Sequence, residues 1–269
     1  MNRSIQALLL PLLLSTVTQG QQLSVFQVQR DPKDRYSIEA LAKIEGGKIL
    51  DLASPGDCTR NANWMKAQEL LSSGKQYYLY STGKLIGRVT TFGALSPTQT
   101  STRARLELFQ SQSRFKFPLL AASSKHLGHS FSRQSRVSPT EARELEDLAL
   151  SILASQGHQK LTVENKRIWK IKIRKDDSWR LVGILSTEES VGIYPHILLI
   201  AGFNQARELV AEFVDSQNYY FEPELDQLDI TRDNADELFV RDKDGVVVFT
   251  KPGERWDVMF RITFTMWCR

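Results

Sequence analysis

The chain has 269 residues, of which 41% are hydrophobic and 25% charged, with a formal charge of +4. That apolar fraction is enough for a sizeable core in one large domain or two small ones. Two Cys allow at most one disulfide bridge, which excludes a scaffold held by many disulfides.

Residues 1–20 read as a cleavable secretory signal. Arg3 gives a positive start, residues 7–14 (ALLLPLLL) are apolar, and small Thr18 and Gly20 precede polar Gln21 and Gln22. Eight apolar residues fall short of the roughly 20 that a spanning helix needs. The expectation is export, secreted or periplasmic, with a cut near Gly20 and Gln21. No second long apolar run follows, so no transmembrane segment is expected in the mature chain. An oxidising compartment would let Cys58 and Cys268 pair, although spacing alone leaves two separate thiols equally open.

Residues 21–137 read as an N-terminal domain of mixed, β-containing character. Residues 21–35 are polar and charged, which predicts a loose or edge segment. Ile38, Leu41 and Ile44 follow a short helical spacing that breaks at Gly46-Gly47. Ser54-Pro55-Gly56-Asp57 is a turn, and Asn63 is placed to cap a short helix that stops before Gly74. Residues 76–81 (QYYLYS) and 85–91 (LIGRVTT) flank a tight connection and predict a hairpin. After a polar loop at 96–102, residues 103–109 and 115–120 are strand candidates, and Ser-rich 123–137 predicts an exposed loop.

Basic residues crowd this half: Lys75, Lys84, Arg88, Arg103, Arg105, Arg114, Lys116, Lys125, Arg133 and Arg136, with Glu107 as the one acid between residues 71 and 140. The stretch is a candidate surface for an anionic surface or polysaccharide. The simpler reading is a solvated face attracted to the acidic half of the same fold. The basic residues are neither tightly clustered nor regularly interleaved with aromatics, which argues against nucleic acid.

Residues 138–157 predict a connecting helix, about 139–156. Ser138 is the N-cap, Pro139 the first helical residue, and Glu141 completes a capping box. Ala142, Leu145, Leu148, Ala149, Ile152 and Leu153 form one apolar stripe, and Gly157 stops the helix. From 158 to 269 the period turns to two, which predicts a C-terminal antiparallel β domain. Trp169, Ile171 and Ile173 alternate with Lys170, Lys172 and Arg174. Asp176-Asp177 and Asp244-Gly245 mark turns, and the last strand places Val258, Phe260, Ile262, Phe264 and Met266 on one face. The fold class expected is β-rich α+β.

The acidic segment DITRDNADELFV, residues 229–240, is the most pointed chemical feature. Calcium takes six to eight oxygens, and acids closely spaced on a turning loop supply them. Side chains of Asp229, Thr231, Asp233 and Glu237, with the carbonyl of Ala235, are the candidate metal ligands. This spacing, followed by Leu and a strand, resembles the calcium loop of FG-GAP and VCBS-type repeats, whose pattern is D-x-D-x-D-G-x-x-[DE]. A looser similarity runs over residues 179–240. The resemblance implies a C-terminal part built like β-propeller blades, in a secreted protein of adhesion or carbohydrate-associated type. Thr231 stands where Asp or Asn is expected, Arg232 brings a positive charge into the loop, and Asn234 replaces a Gly. Those departures imply a weak or lost calcium loop. The β-rich stretch is long enough for about two blades, against 4–8 in a complete propeller.

No catalytic constellation is legible. His126 and His129 lack the H-E-x-x-H setting, no G-x-S-x-G elbow occurs, and the two Cys lack metal spacing. The expected function is an exported, non-catalytic binding or envelope-associated protein. The alternative is a secreted hydrolase whose site is assembled from scattered residues such as His126 or His196.

Overall fold

The computed structural model describes residues 23–30, 36–45, 48–52, 66, 68–94, 103–108, 119–122, 126–127, 133–158, 160–188, 195–216, 223–241 and 245–263. Residues 1–20, Asn63, Cys58, Cys268, His129, Asp244, Phe264 and Met266 lie outside the described residues, and the expectations placed on them lie there too.

The chain is strand-rich and its sheets are antiparallel. Strands β1 (Leu23–Arg30), β2 (Tyr36–Glu45), β3 (Lys48–Asp51), β4 (Gln76–Ser81), β5 (Lys84–Ala94), β6 (Arg103–Leu108) and β7 (Leu119–Ala122) make the first sheet, in the order β1-β7-β4-β5-β6-β2-β3. A further pairing of β1 with β2, from Leu23↔Ile44 to Arg30↔Tyr36, curls this sheet into a barrel. Phe26, Val28, Ile38, Tyr77, Leu79 and Val89 pack together in one core of this barrel.

Two expectations are corrected here. Residues 23–30 are a strand paired on both sides, with β2 and β7, rather than a loose or edge segment, and residues 36–45 and 48–51 are the paired strands β2 and β3 rather than a helix. The cause of the second is a β-bulge. The β1–β2 register shifts between Val25 and Phe26, and Leu41 is the residue left without a partner. A bulge reverses which face the following side chains take. Ile38 and Ala40 therefore join the barrel core, while Leu41 and Ile44 pack on a second core outside it. A bulged strand buried on both faces thus imitates the i, i+3 spacing of a helix.

Strands β8 (Arg133–Ser135), β9 (Thr162–Lys172), β10 (Arg180–Glu188), β11 (His196–Phe203) and β12 (Leu209–Asp215) form a five-stranded sheet in the order β12-β11-β10-β9-β8. The segment 123–137, expected to be an exposed loop, thus contributes the short edge strand β8, and Leu127 within it is buried. Helix α1 (Pro139–Ser155) lies on this sheet, with Leu145, Ala149 and Leu153 buried against Leu181, Leu185, Ile197 and Leu199. Gly183 permits the close approach, since a Cβ there would stand 2.5 Å from a Leu145 methyl. The capping box forms as its residues predict: Glu141 N–H donates to Ser138 Oγ at 3.2 Å and Ser138 N–H donates to Glu141 Oε2 at 2.9 Å. Ser138→Ala is expected to cost about 1 kcal/mol, read as a lower urea midpoint with unchanged slope.

Strands β13 (Glu224–Leu228), β14 (Glu237–Arg241), β15 (Gly245–Thr250) and β16 (Asp257–Thr263) form a four-stranded meander. One face carries Leu225, Leu238, Val240 and Phe249 against Val182, Ile184, Leu198 and Ile200 of the five-stranded sheet. The other face carries Leu228, Phe239, Val246 and Val248 against Leu23, Val25, Leu41 and Tyr80 on the outside of the barrel. The layers therefore run helix, five-stranded sheet, four-stranded sheet, barrel. Val258 does not share the buried face expected of it: the β15–β16 register shifts between Val248 and Phe249, and Val258 is 40% exposed while Ile262 is buried.

Candidate functional site

A cleft of about 940 Å³ opens where three connections meet at one end of the two C-terminal sheets: the β9–β10 turn, the acidic β13–β14 loop and the β15–β16 turn. Its floor is a charge cluster organised by Glu212. In the β11–β12 ladder Ile200 pairs with Phe213 and Ala201 with Ala211, so Glu212 is the bulged residue between them. Bulges re-aim side chains and recur beside functional sites. Here the bulge lays the Glu212 side chain over Gly202, where a Cβ would come within 2.3 Å of Glu212 Oε1.

Three donors converge on Glu212 Oε2: Arg180 Nε at 2.7 Å, Lys251 Nζ at 2.7 Å and Trp256 Nε1 at 2.8 Å. Arg180 also pairs with Asp177 at 2.5 Å and donates to the carbonyl of Ser178 at 3.2 Å. Arg180, Lys251 and Trp256 are all buried. Burial alone raises the Glu212 carboxyl, but the hydrogen bonds from Arg180, Lys251 and Trp256 outweigh it and hold the group below its ordinary range. Burial likewise lowers the Arg180 guanidinium, and its bonds to Asp177 and Glu212 reverse that shift. The floor is thus ionised, rigid and internally neutralised.

The walls differ. Arg174 donates to the carbonyl of Lys251 at 3.3 Å and stands 3.6 Å from Asp233 Oδ2. Asp176 and Glu254 line the cleft from opposite turns, exposed and without an ion pair among the described residues. Asn234 adds an amide to the third wall.

The acidic loop borders this cleft, and its oxygens are engaged by its own donors. Asp229 Oδ1 accepts from Arg232 N–H at 2.6 Å and Oδ2 from Asn234 N–H at 3.1 Å. Glu237 Oε2 accepts from Ile230 N–H at 2.8 Å, and Asp233 Oδ1 from Ala235 N–H at 2.9 Å. Arg232 and Asn234 take left-handed backbone at φ 63° and 64°. Of the five candidate ligands, the structure gathers three oxygens: Thr231 Oγ1 lies 3.1 Å from Asp233 Oδ1 and 3.0 Å from Glu237 Oε1. Asp229 turns to the loop's amides instead, and Ala235 is seen contributing its N–H. Among the described residues no group of three or more His, Cys, Asp or Glu converges to hold a metal ion. Burial pushes Glu237 up to about 7 and also raises Asp229, against the hydrogen bonds each accepts.

No match is found among protein-family models, curated proteins or solved structures. The basic residues do not form one strip: Lys75, Lys84, Arg88 and Arg105 are exposed on the barrel, whereas Arg133 and Arg136 are exposed beside the five-stranded sheet. Arg88 lies over the Tyr78 ring at 4.8 Å. Arg114, Lys116 and Lys125 lie outside the described residues. His126 packs its ring edge-on to Tyr78 at 5.4 Å, and His196 begins β11, where burial lowers its pKa. Neither lines the cleft. Reading the sequence missed Glu212, Arg180, Lys251 and Trp256 altogether. The one signal available was a pair of glutamates after Gly202, Glu208 just before β12 and Glu212 on it, and nothing in the sequence around them singles out Glu212. No helix among the described residues is long and apolar enough to cross a membrane.

Proposed function

We propose that the chain is an exported, non-catalytic binding module whose ligand occupies the cleft above Glu212. The observation that carries this reading is the division of labour in the cleft. Its buried charges neutralise one another, while Asp176, Glu254 and Asn234 on the rim remain open to a ligand. The fixed floor ties together the turns that carry these rim groups, through Arg180 to Asp177 and Arg174 to the Lys251 carbonyl, and a pre-formed concave site binds a ligand at low ordering cost. The ligand class that suits the rim is a saccharide bearing amino groups, with ammonium against the carboxylates and hydroxyls against the amide. The four-stranded meander has the strand number of a propeller blade, and the FG-GAP likeness is carried into this reading for that sheet alone. Basic residues on the barrel are a second, outer contact for an anionic surface.

The acidic loop, in this reading, keeps its shape with amide donors in place of a cation. Calorimetric titration with millimolar calcium is expected to give no binding heat; a saturable heat lost in Asp233→Asn would restore the metal site. The alternative, a hydrolase, is separated by the fate of the sugar. Equilibrium binding with a glucosamine oligosaccharide recovered intact supports the module, and time-dependent cleavage supports the enzyme.

A further inference from the structure

The junction between the barrel and the four-stranded sheet is pinned by one buried carboxyl group. Asp226, on β13, is 1% exposed. It accepts hydrogen bonds from the backbone N–H groups of Thr82 and Gly83, the tip of the β4–β5 hairpin, and from Gln227 N–H. Both tip residues are in the left-handed region, at φ 47° and 71°. Its second oxygen, Oδ2, has no hydrogen-bond partner among the described residues. Around it lies the apolar core shared by the two parts, with Tyr80 and Leu228 buried. Among the described residues no cation pairs with this carboxyl. The hairpin tip offers it backbone amides, Lys84 beside the tip is exposed, and the charged group that acts on it from the acidic loop is Asp236, of like sign.

We propose that Asp226 is a charge-controlled latch, which holds the barrel against the C-terminal sheets while the carboxyl is neutral and releases the hairpin tip when it ionises. The physical reason is that an ionised carboxylate without a cation is costly in an apolar junction, and a nearby like charge adds to the cost. Burial is the first cause of its raised pKa, about 8, with Asp236 adding to it against the hydrogen bonds from Gln227, Thr82 and Gly83. The sign follows. An undocked Asp226 loses its proton near the ordinary carboxylate value, and the docked one keeps it. Docking is therefore strongest in acid and weakens as pH rises towards about 8.

The test is amide hydrogen exchange of the full mature chain, corrected for intrinsic rates, at pH 6 and pH 9. Protection of the Thr82 and Gly83 amides is expected to fall at least tenfold, while Val89 inside the barrel keeps its protection. Asp226→Asn retains the accepting oxygen and removes the charge, so its protection should not change between the two pH values. Asp236→Asn removes the neighbouring like charge and should shrink the fall; this arm decides the matter if Asp226→Asn does not fold. Unchanged protection in the wild type, or a fall in either variant equal to that of the wild type, overturns the latch.

Discussion

Glu212→Ala is expected to destabilise the chain by about 3–5 kcal/mol. The variant leaves Arg180 and Lys251 buried, with Arg180 keeping Asp177 alone and Lys251 losing its carboxylate. Removing one partner of a buried ionic cluster costs more than the cluster contributes as a whole, because the remaining charges stay desolvated. Trp256 Nε1 loses its acceptor as well. For a chain of this size the loss corresponds to a fall in Tm on the order of 10 °C. Glu212→Gln keeps an oxygen for one or two of the donors and should lose less. Glu254→Ala, at the exposed rim of the same cleft, should stay within about 0.5 kcal/mol. Urea unfolding of the three variants checks the order; a loss below about 1 kcal/mol for Glu212→Ala would mean that the cluster does not organise the cleft.

The second large effect lies between the two C-terminal sheets. Phe249 is fully buried and meets Phe213 edge-on, with ring centroids 5.1 Å apart. It joins β15 to β12 across the core that both sheets share. Truncation to Ala removes its apolar contacts and leaves a cavity that the stacked sheets can close only in part, so about 3–5 kcal/mol is expected. Phe92, 56% exposed on β5, is the matched control and should change stability little on the same substitution. The pair separates the stacked arrangement from one in which the sheets stand independently, because only stacking makes Phe249 costly. Equal effects at both positions would contradict the layer order.

Where local rules were sufficient, the fold was readable in advance. The β4 strand at 76–81 and helix α1 coincide with their predicted spans to within a residue, since alternation, turn residues and the Ser138–Glu141 box act over a few positions. The errors at β2 and β16 share one cause: a bulge shifts the side-chain parity, and at Leu41 and Val258 the period misleads. The error at β1 has another: polar Ser24 and Gln27 are buried in a strand paired on both sides. The acidic loop was legible as a turn of acids but not as a self-bonded one, because whether Asp229 meets a metal or the amides of residues 232 and 234 depends on backbone angles that composition does not set. The Glu212 cluster was not legible at all. Its members come from β10, β12 and the turn after β15, and only the stacking of two sheets brings them together.

In the proposed function this cleft, and not the basic face of the barrel, receives the ligand. The decisive measurement is an exchange footprint of the chain with a glucosamine oligosaccharide of about four units. Added protection is expected at residues 174–177, 233–234 and 251–254, lost in an Asp176→Asn, Glu254→Gln double variant that remains folded, with the sugar recovered unchanged. Protection confined to the barrel strands around Lys84, Arg88 and Arg105, or no protection with the sugar at millimolar concentration, would contradict it.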